Sequence, residues 1–429
     1  MKADFTRWTF DPSNRFTRVL MQQGQVQLDA DWNEQAAIHL HFLRMLTADL
    51  IGPFGGTPAK PDGTIGDGFK LDTKLDSKKK PVPNTYRILP GRFYAGGLAV
   101  ESLEELTRKD LPQGIHLLYL DVWEQLVTYV QNDLIREVAL GGVDTAARAQ
   151  VVWRVRAQAA KNGTKCTDAR ANWLDTVATL QPENRGRLKA QAQPGKPLND
   201  EPCIVSPEAR YTGENQLYRV EIQTAGTAAT GATFKWSREN GSVVFPISDL
   251  KSLTLEHLGR DGRFSLQKDD QVEALDDDSE LLDTPRPLLR VKAVDPDRLR
   301  VTLDGPVDLK TDKHPYLRRW DHRERAKGSL SGGALPIQEG QSIELEDGIS
   351  ITFVPLEQKN KFHTYRAGDY WLIPARTATG DVEWPGPPED PEAVPPHGVD
   401  HYFALLGLVA INDGVVSIQD CRAFFKAWT

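Results

Sequence analysis

Four groupings of histidines and carboxylates are candidates for chemistry. His397 and His401 stand four apart with Asp400 beside them. Two imidazoles and a carboxylate open a metal site when a helix puts both rings on one face. Pro395, Pro396 and Gly398 argue for a loop here, so the expectation is a rigid loop pinning a domain edge. His39 and His41 are two apart; on a helix they point in different directions and cannot share an ion. Asp276, Asp277 and Asp278, with Glu280 close by, offer oxygen ligands. The Asp-x-Asp-x-Asp-Gly order of a calcium loop is missing, and an exposed turn between strands is expected. Asp121, Glu124 and Glu137 lie around a strand pair, with Trp123 beside Glu124. Two carboxylates beside an aromatic would suit glycoside hydrolysis, but nothing in the sequence sets their separation.

Nucleophile and phosphate signatures are missing: the chain has no Gly-x-Ser-x-Gly, no P-loop, no Gly-x-Gly-x-x-Gly and no His-Glu-x-x-His. The segment 259–263 reads as a charged turn rather than a phosphate cradle. Cys166, Cys203 and Cys421 are far apart and odd in number, which predicts buried thiols and no disulfide framework. The net charge of −8 disfavours a nucleic-acid partner, since phosphate binding needs a clustered positive field. Lys78, Lys79 and Lys80 read as a solvated run. The start of the chain lacks an apolar core of signal-peptide length. The longest apolar run, residues 402–411, is far short of the ~20 residues a membrane helix needs. The expectations are therefore cytoplasmic synthesis, no membrane insertion, no cofactor and no catalytic set.

The elements that would position these residues are mainly β. Ala36, Leu40, Leu43, Leu46 and Leu50 recur at three- and four-residue spacing, the stripe of an amphipathic helix. Asp31 and Asn33 start it and Gly52-Pro53 stops it. Before it, residues 19–28 interleave glutamines with Val26 and Leu28, as in a short exposed strand or extended arm. Farther on, Phe93, Tyr94, Leu98 and Val100 flank Gly96-Gly97, a hairpin signal. Residues 117–130 read as one long strand or two. Residues 145–156 fit helix or strand equally, and 173–180 fit a short helix. Asp295-Pro296-Asp297 separates two further strands. Short strands punctuated by Gly and Pro predict small β-sandwiches or barrels. The expected division is an arm and helix at 1–55, a linker at 56–84, and β domains at 85–200, 201–310 (barrel-like) and 311–429. Similar strand openings at 267–273, 338–344 and 368–373 would fit duplicated barrels or chance.

The stretches Asp4-Phe5-Thr6-Arg7 and Val19-Leu20-Met21-Gln22-Gln23-Gly24 through Asp31-Trp32-Asn33-Glu34-Gln35 resemble a largely uncharacterised bacterial domain family. The likeness continues through Tyr119–Glu124, Arg136–Gly142, Phe234–Gly241 and Gly368–Arg376. Members of that family sit in gene clusters for phage-tail-like contractile injection systems. The resemblance implies a non-enzymatic structural component, at the baseplate or fibre-attachment region of a phage-tail-like particle, whether retained or released. Its partners would be other baseplate, sheath or fibre proteins, or further copies of itself. A receptor- or carbohydrate-binding module of the same particle is the alternative, and a polysaccharide hydrolase a more distant one. The residues expected at the interface are Phe5, Trp8, Phe10, Val26, Leu28, Trp32, Leu40 and Leu43. An extended arm can add to a partner sheet, and the helix stripe needs an apolar cover.

Overall fold

The computed structural model describes residues 1–57, 67–182, 184–193, 210–211, 213–259, 265–282, 285–324, 328–356 and 361–425. The chain is mainly β, with a closed barrel, several small antiparallel sheets and an N-terminal helix. Two compact units emerge, each assembled from three separated stretches. Consecutive domains were expected, but the strand partners come from distant parts of the chain. The expected linker at 56–84 instead contains the strand Leu71–Leu75 and the start of the strand Pro81–Ile88, which pair with each other. No helix among the described residues is long and apolar enough to cross a membrane.

The first unit comprises Met1–Trp8, Leu126–Arg148 and Glu183–Val399. Strands Val244–Asp249, Thr254–Leu255, Arg300–Leu303, Leu288–Asp295, Gln271–Leu275 and Tyr316–Trp320 close a six-stranded barrel in that order. Phe245, Val272, Val291, Val301 and Leu317 fill it. The Asp295-Pro296-Asp297 turn joins the two paired strands it was expected to join. A five-stranded sheet runs in the order Leu335–Pro336, Thr233–Ser237, Gln216–Thr224, Tyr370–Arg376, Asp381–Val382. Tyr218, Val220 and Ile222 point to one face, where Phe234, Phe353, Trp371 and Ile373 complete a core. Strand side chains alternate between faces, so Arg219, Glu221 and Gln223 point to the other, and they too are buried. The three similar strand openings lead into three different sheets: Gln271–Leu275 in the barrel, Ser342–Glu344 in a three-stranded sheet and Tyr370–Arg376 in the five-stranded one. They mark turn-to-strand junctions and not copies of one barrel.

The second unit comprises Thr9–Gln125, Ala149–Pro182 and Asp400–Thr429. Its main sheet orders the strands Arg148–Ala160, Gly114–Val127, Tyr402–Asn412 and Val415–Asp420. Leu118, Leu120 and Val122 pack with Leu405, Val409, Phe69 and Phe93. The undecided segment at 145–156 is thus largely strand, and Trp173–Leu180 is the short helix expected. The hairpin Gly91–Ala95 to Leu98–Ser102 turns at Gly96-Gly97, whose φ values are 54° and 80°. A β-carbon on Gly96 would fall 1.9 Å from the Tyr402 ring, so both backbone conformation and space require glycine there. Cys166 and Cys421 form a disulfide across 255 positions, correcting the expectation of free thiols. Sequence separation hid the pairing: the helix Cys166–Ala171 packs on the strand Tyr402–Asn412, next to Cys421. Cys203 lies outside the described residues.

Candidate interaction site

The N-terminal helix spans Asp29–Ile51. Asp29 and Asp31 sit in its first turn, where carboxylates complement the helix dipole, and the Asp31 carboxylate accepts from the Leu28 amide at 3.1 Å. Gly52, at φ 91°, ends it. Only Ala30 and Ile38 are fully buried. Arg44 faces the body of the second unit, ion-paired with Glu124 at 2.5 Å. The expected stripe of Leu40, Leu43, Leu46 and Leu50 is exposed, with Trp32 at its N-terminal end 69% accessible.

The preceding segment forms neither a strand nor a sheet edge, unlike the extended strand considered from sequence. It makes a short turn at Pro12–Asn14, then runs irregularly to Leu28. Its tethers to the helix include Thr9 Oγ1, which donates to Glu34 at 2.6 Å, and the Val19 amide, which donates to Gln35 Oε1 at 2.8 Å. Between turn and helix lies a groove of about 240 Å³ lined by Phe10, Phe16, His41, Phe42 and Met45, among others. Phe16, Leu20, Met21, Val26 and Leu28 remain exposed, Val26 at 81%. More than half of the exposed large apolar side chains among the described residues fall between Trp8 and Leu50. Monomeric surfaces rarely carry so dense an apolar patch unless something covers it.

The eight expected interface residues are divided between the two units. Phe10, Val26, Leu28, Trp32, Leu40 and Leu43 belong to the second unit, whereas Phe5 and Trp8 belong to the first. Phe5 is half-buried against Trp8, with ring centroids 5.9 Å apart. Phe10 is also half-buried, packing against His41. The exposed helix face and the residues before it are the coherent part of the patch.

The candidate chemical groupings are largely committed elsewhere. His401 is buried and Nδ1 lies 2.5 Å from Asp121, between Trp123 and Phe403. Arg154 and Arg156 also bind Asp121, at 3.2 and 2.6 Å. His397 belongs to the other unit. Asp121 and Glu124 project from opposite faces of their strand, and Glu124 is taken by Arg44. Glu137 caps a 3-10 turn through the Ala139 amide. The acidic run at 276–280 is not an exposed turn. It opens the helix Asp277–Leu282; Asp276 is buried and accepts from the Ser279 amide, and Glu280 binds Tyr316 and Arg318. Arg318 holds Glu280 down at about 2 against the opposing effect of burial. Among the described residues no three histidine, cysteine or acidic side chains gather as a metal set. Lys78 and Lys80 close a turn, each donating its backbone amide to Asp76. Of the charged turn at 259–263, all but Gly259 lies outside the described residues.

Sequence reading missed an ionic layer in the first unit. Lys235 Nζ lies 2.9 Å from Glu273 and 3.3 Å from Glu221, over the Trp320 ring at 4.2 Å. Trp320 Nε1 donates to Glu273, and Arg219 donates to Glu221 at 2.6 Å. Burial would raise the Glu221 pKa, but Lys2, Arg219 and Lys235 outweigh it and hold the carboxyl well below its usual range. Asn240 ties the first residues down, donating to the carbonyls of Met1 and Ala3. Its members are buried and paired with one another, so the layer reads as internal scaffolding.

Fold and surface together define a β-rich, two-unit protein with an apolar N-terminal face. The chain belongs to a family of unknown function, DUF6519, whose model matches residues 1–113, 107–178 and 159–428. No curated protein matches the chain, and no solved structure does.

Proposed function

We propose that this chain is a structural and assembly component of a phage-tail-like contractile injection particle, placed at its baseplate or fibre-attachment region. The supporting observation is the exposed apolar face formed by residues 16–50, where Trp32, Leu43, Leu46 and Leu50 stand in solvent while the opposite side of the helix is packed. Such a face contributes stability only once another protein covers it. The particle setting rests on the sequence resemblance given above. The Cys166–Cys421 bond is compatible with it, because disulfides persist in oxidising surroundings and a released particle meets them. The buried charges Lys235, Glu221, Glu273 and Arg219 are paired with one another, which suits a scaffold.

The test is incorporation. Particles purified from a producing cell are assayed for wild-type chain and for Leu43→Asp and Leu46→Asp variants. Wild-type chain is expected to co-sediment with particles, and the variants, folded by circular dichroism, are expected to remain in the soluble fraction. Wild-type chain absent from particles, or variants incorporated as well as wild type, would refute the reading.

A further inference from the structure

We infer that the N-terminal helix pairs antiparallel with the same helix of a second copy of this chain. The inference deepens the assembly reading and rests on it. Trp32, Ala36, His39, Leu43, Leu46 and Leu50 follow one another at steps of four, three, four, three and four residues. That is the repeat of about 3.5 by which one helix keeps a single stripe against a neighbouring helix. All six are exposed. They lie opposite Ala30, Ile38 and Arg44, the residues turned toward the body of the unit. The spacing therefore specifies a helix as the covering element.

The stripe also specifies which helix. Its pattern is symmetric about His41, so an antiparallel copy sets Trp32 against Leu50, Ala36 against Leu46 and His39 against Leu43. Each small or polar side chain meets a leucine. A parallel pair would instead stack Trp32 on Trp32, leave a gap between two Ala36 residues and oppose two His39 rings. The flanking positions agree. Antiparallel pairing brings Gln35 to Asp49, Asn33 to Thr47, Leu40 to Leu40 and Phe42 to Phe42. Asp49 is the only charged residue among them, so no like charges oppose each other across the seam. A twofold, self-complementary contact of this kind is the commonest oligomer geometry.

The seam is about 27 Å long at 1.5 Å per residue. A single helix face of that length falls short of the roughly 1,000 Å² that stable interfaces bury in total. Val26 and Leu28, exposed just before Trp32, extend it. The pairing is accordingly weak in dilute solution, in the micromolar range, and strengthened inside an assembly by high local concentration.

Sedimentation of the full chain tests the pairing. Wild type should dimerise reversibly. Leu43→Asp should weaken the dimer about tenfold or more, the equivalent of one hot-spot side chain, and His39→Leu should tighten it. Cross-linking tests the direction, in a Cys203→Ala background that leaves the Cys166–Cys421 bond intact. Under mild oxidation a mixture of Ala36→Cys and Leu46→Cys chains should give covalent dimers. Either variant alone should not, because like positions lie about 15 Å apart along the axis. Dimers from Ala36→Cys alone, or wild type that stays monomeric up to about 100 µM, would overturn the inference. If wild type is monomeric yet Leu43→Asp is still lost from particles, the homotypic pairing falls and the assembly reading stands. If it dimerises as described but Leu43→Asp enters particles normally, the reverse holds.

Discussion

Replacing Lys235 with methionine should destabilise the first unit severely, because it keeps the side-chain volume and removes one charge from a layer that water does not reach. Lys235, Glu221 and Glu273 are each no more than 4% exposed at the side chain. Glu221 keeps Arg219 and Lys2 as cations. Glu273 loses its ion pair and retains the Trp320 indole and the Arg286 amide as donors. Breaking a buried pair by removing one partner costs about 3–5 kcal/mol, since the other charge is left behind. Hydrogen exchange in peptides covering Thr233–Ser237 and Gln271–Leu275 reads this directly, because their amides exchange through opening of the unit. At 1.4 kcal/mol per factor of ten, exchange should accelerate by roughly two to three orders of magnitude. Adding Glu273→Gln neutralises the stranded carboxylate and should recover a large part of the loss. Lys235→Met within about 0.5 kcal/mol of wild type, the level of an ordinary surface change, would refute the account of the layer. So would a double variant no better than the single one.

His322 and the disulfide give two further expectations. His322 is buried, its pKa lowered from 6.5 to about 4 by burial, against the pull of the Gly333 carbonyl that its ring contacts at 2.7 Å. A histidine whose folded pKa lies below its unfolded value stabilises the fold above about pH 6.5 and loses that contribution as pH falls toward 4, amounting to about 2 kcal/mol by pH 5. His322→Gln should therefore lose about that much less than wild type between pH 7.5 and 5 in denaturant titrations; identical pH profiles would contradict it. Cys166→Ser opens a closure of 255 positions and should cost the second unit about 2–5 kcal/mol, read as a lower melting temperature that reductant reproduces in wild type and leaves unchanged in the variant.

The legible parts of this fold are those set by neighbours in sequence. Gly96-Gly97 and Asp295-Pro296-Asp297 announced their turns because few other residues adopt those backbones, and Gly52-Pro53 marked the helix end. The leucine stripe was readable as a helix, but sequence alone did not show that Ala30 and Ile38 would be the buried side and the leucines the exposed one. Strand alternation alone does not mark Arg219, Glu221 and Lys235 as interior. Polar residues at every second position ordinarily face water, and only the partners Glu273 and Trp320, far along the chain, make that face an interior. The same distance hid the pairing of Cys166 with Cys421 and the interleaving of the two units. The apolar character of the helix and of the residues just before it was legible from composition, and their exposure was not. Nothing in the sequence signalled that Phe5 and Trp8 fold with the other unit.

The central claim is that residues 16–50 present an apolar face meant to be covered by protein. Hydroxyl-radical footprinting of Met21, Trp32 and Met45, compared between dilute free chain and purified particles, measures it most directly. The account predicts rapid oxidation of Met21 and Trp32 in the free chain, where both are exposed, and strong protection of Trp32 in the particle. Equal oxidation of Trp32 in both states would contradict it.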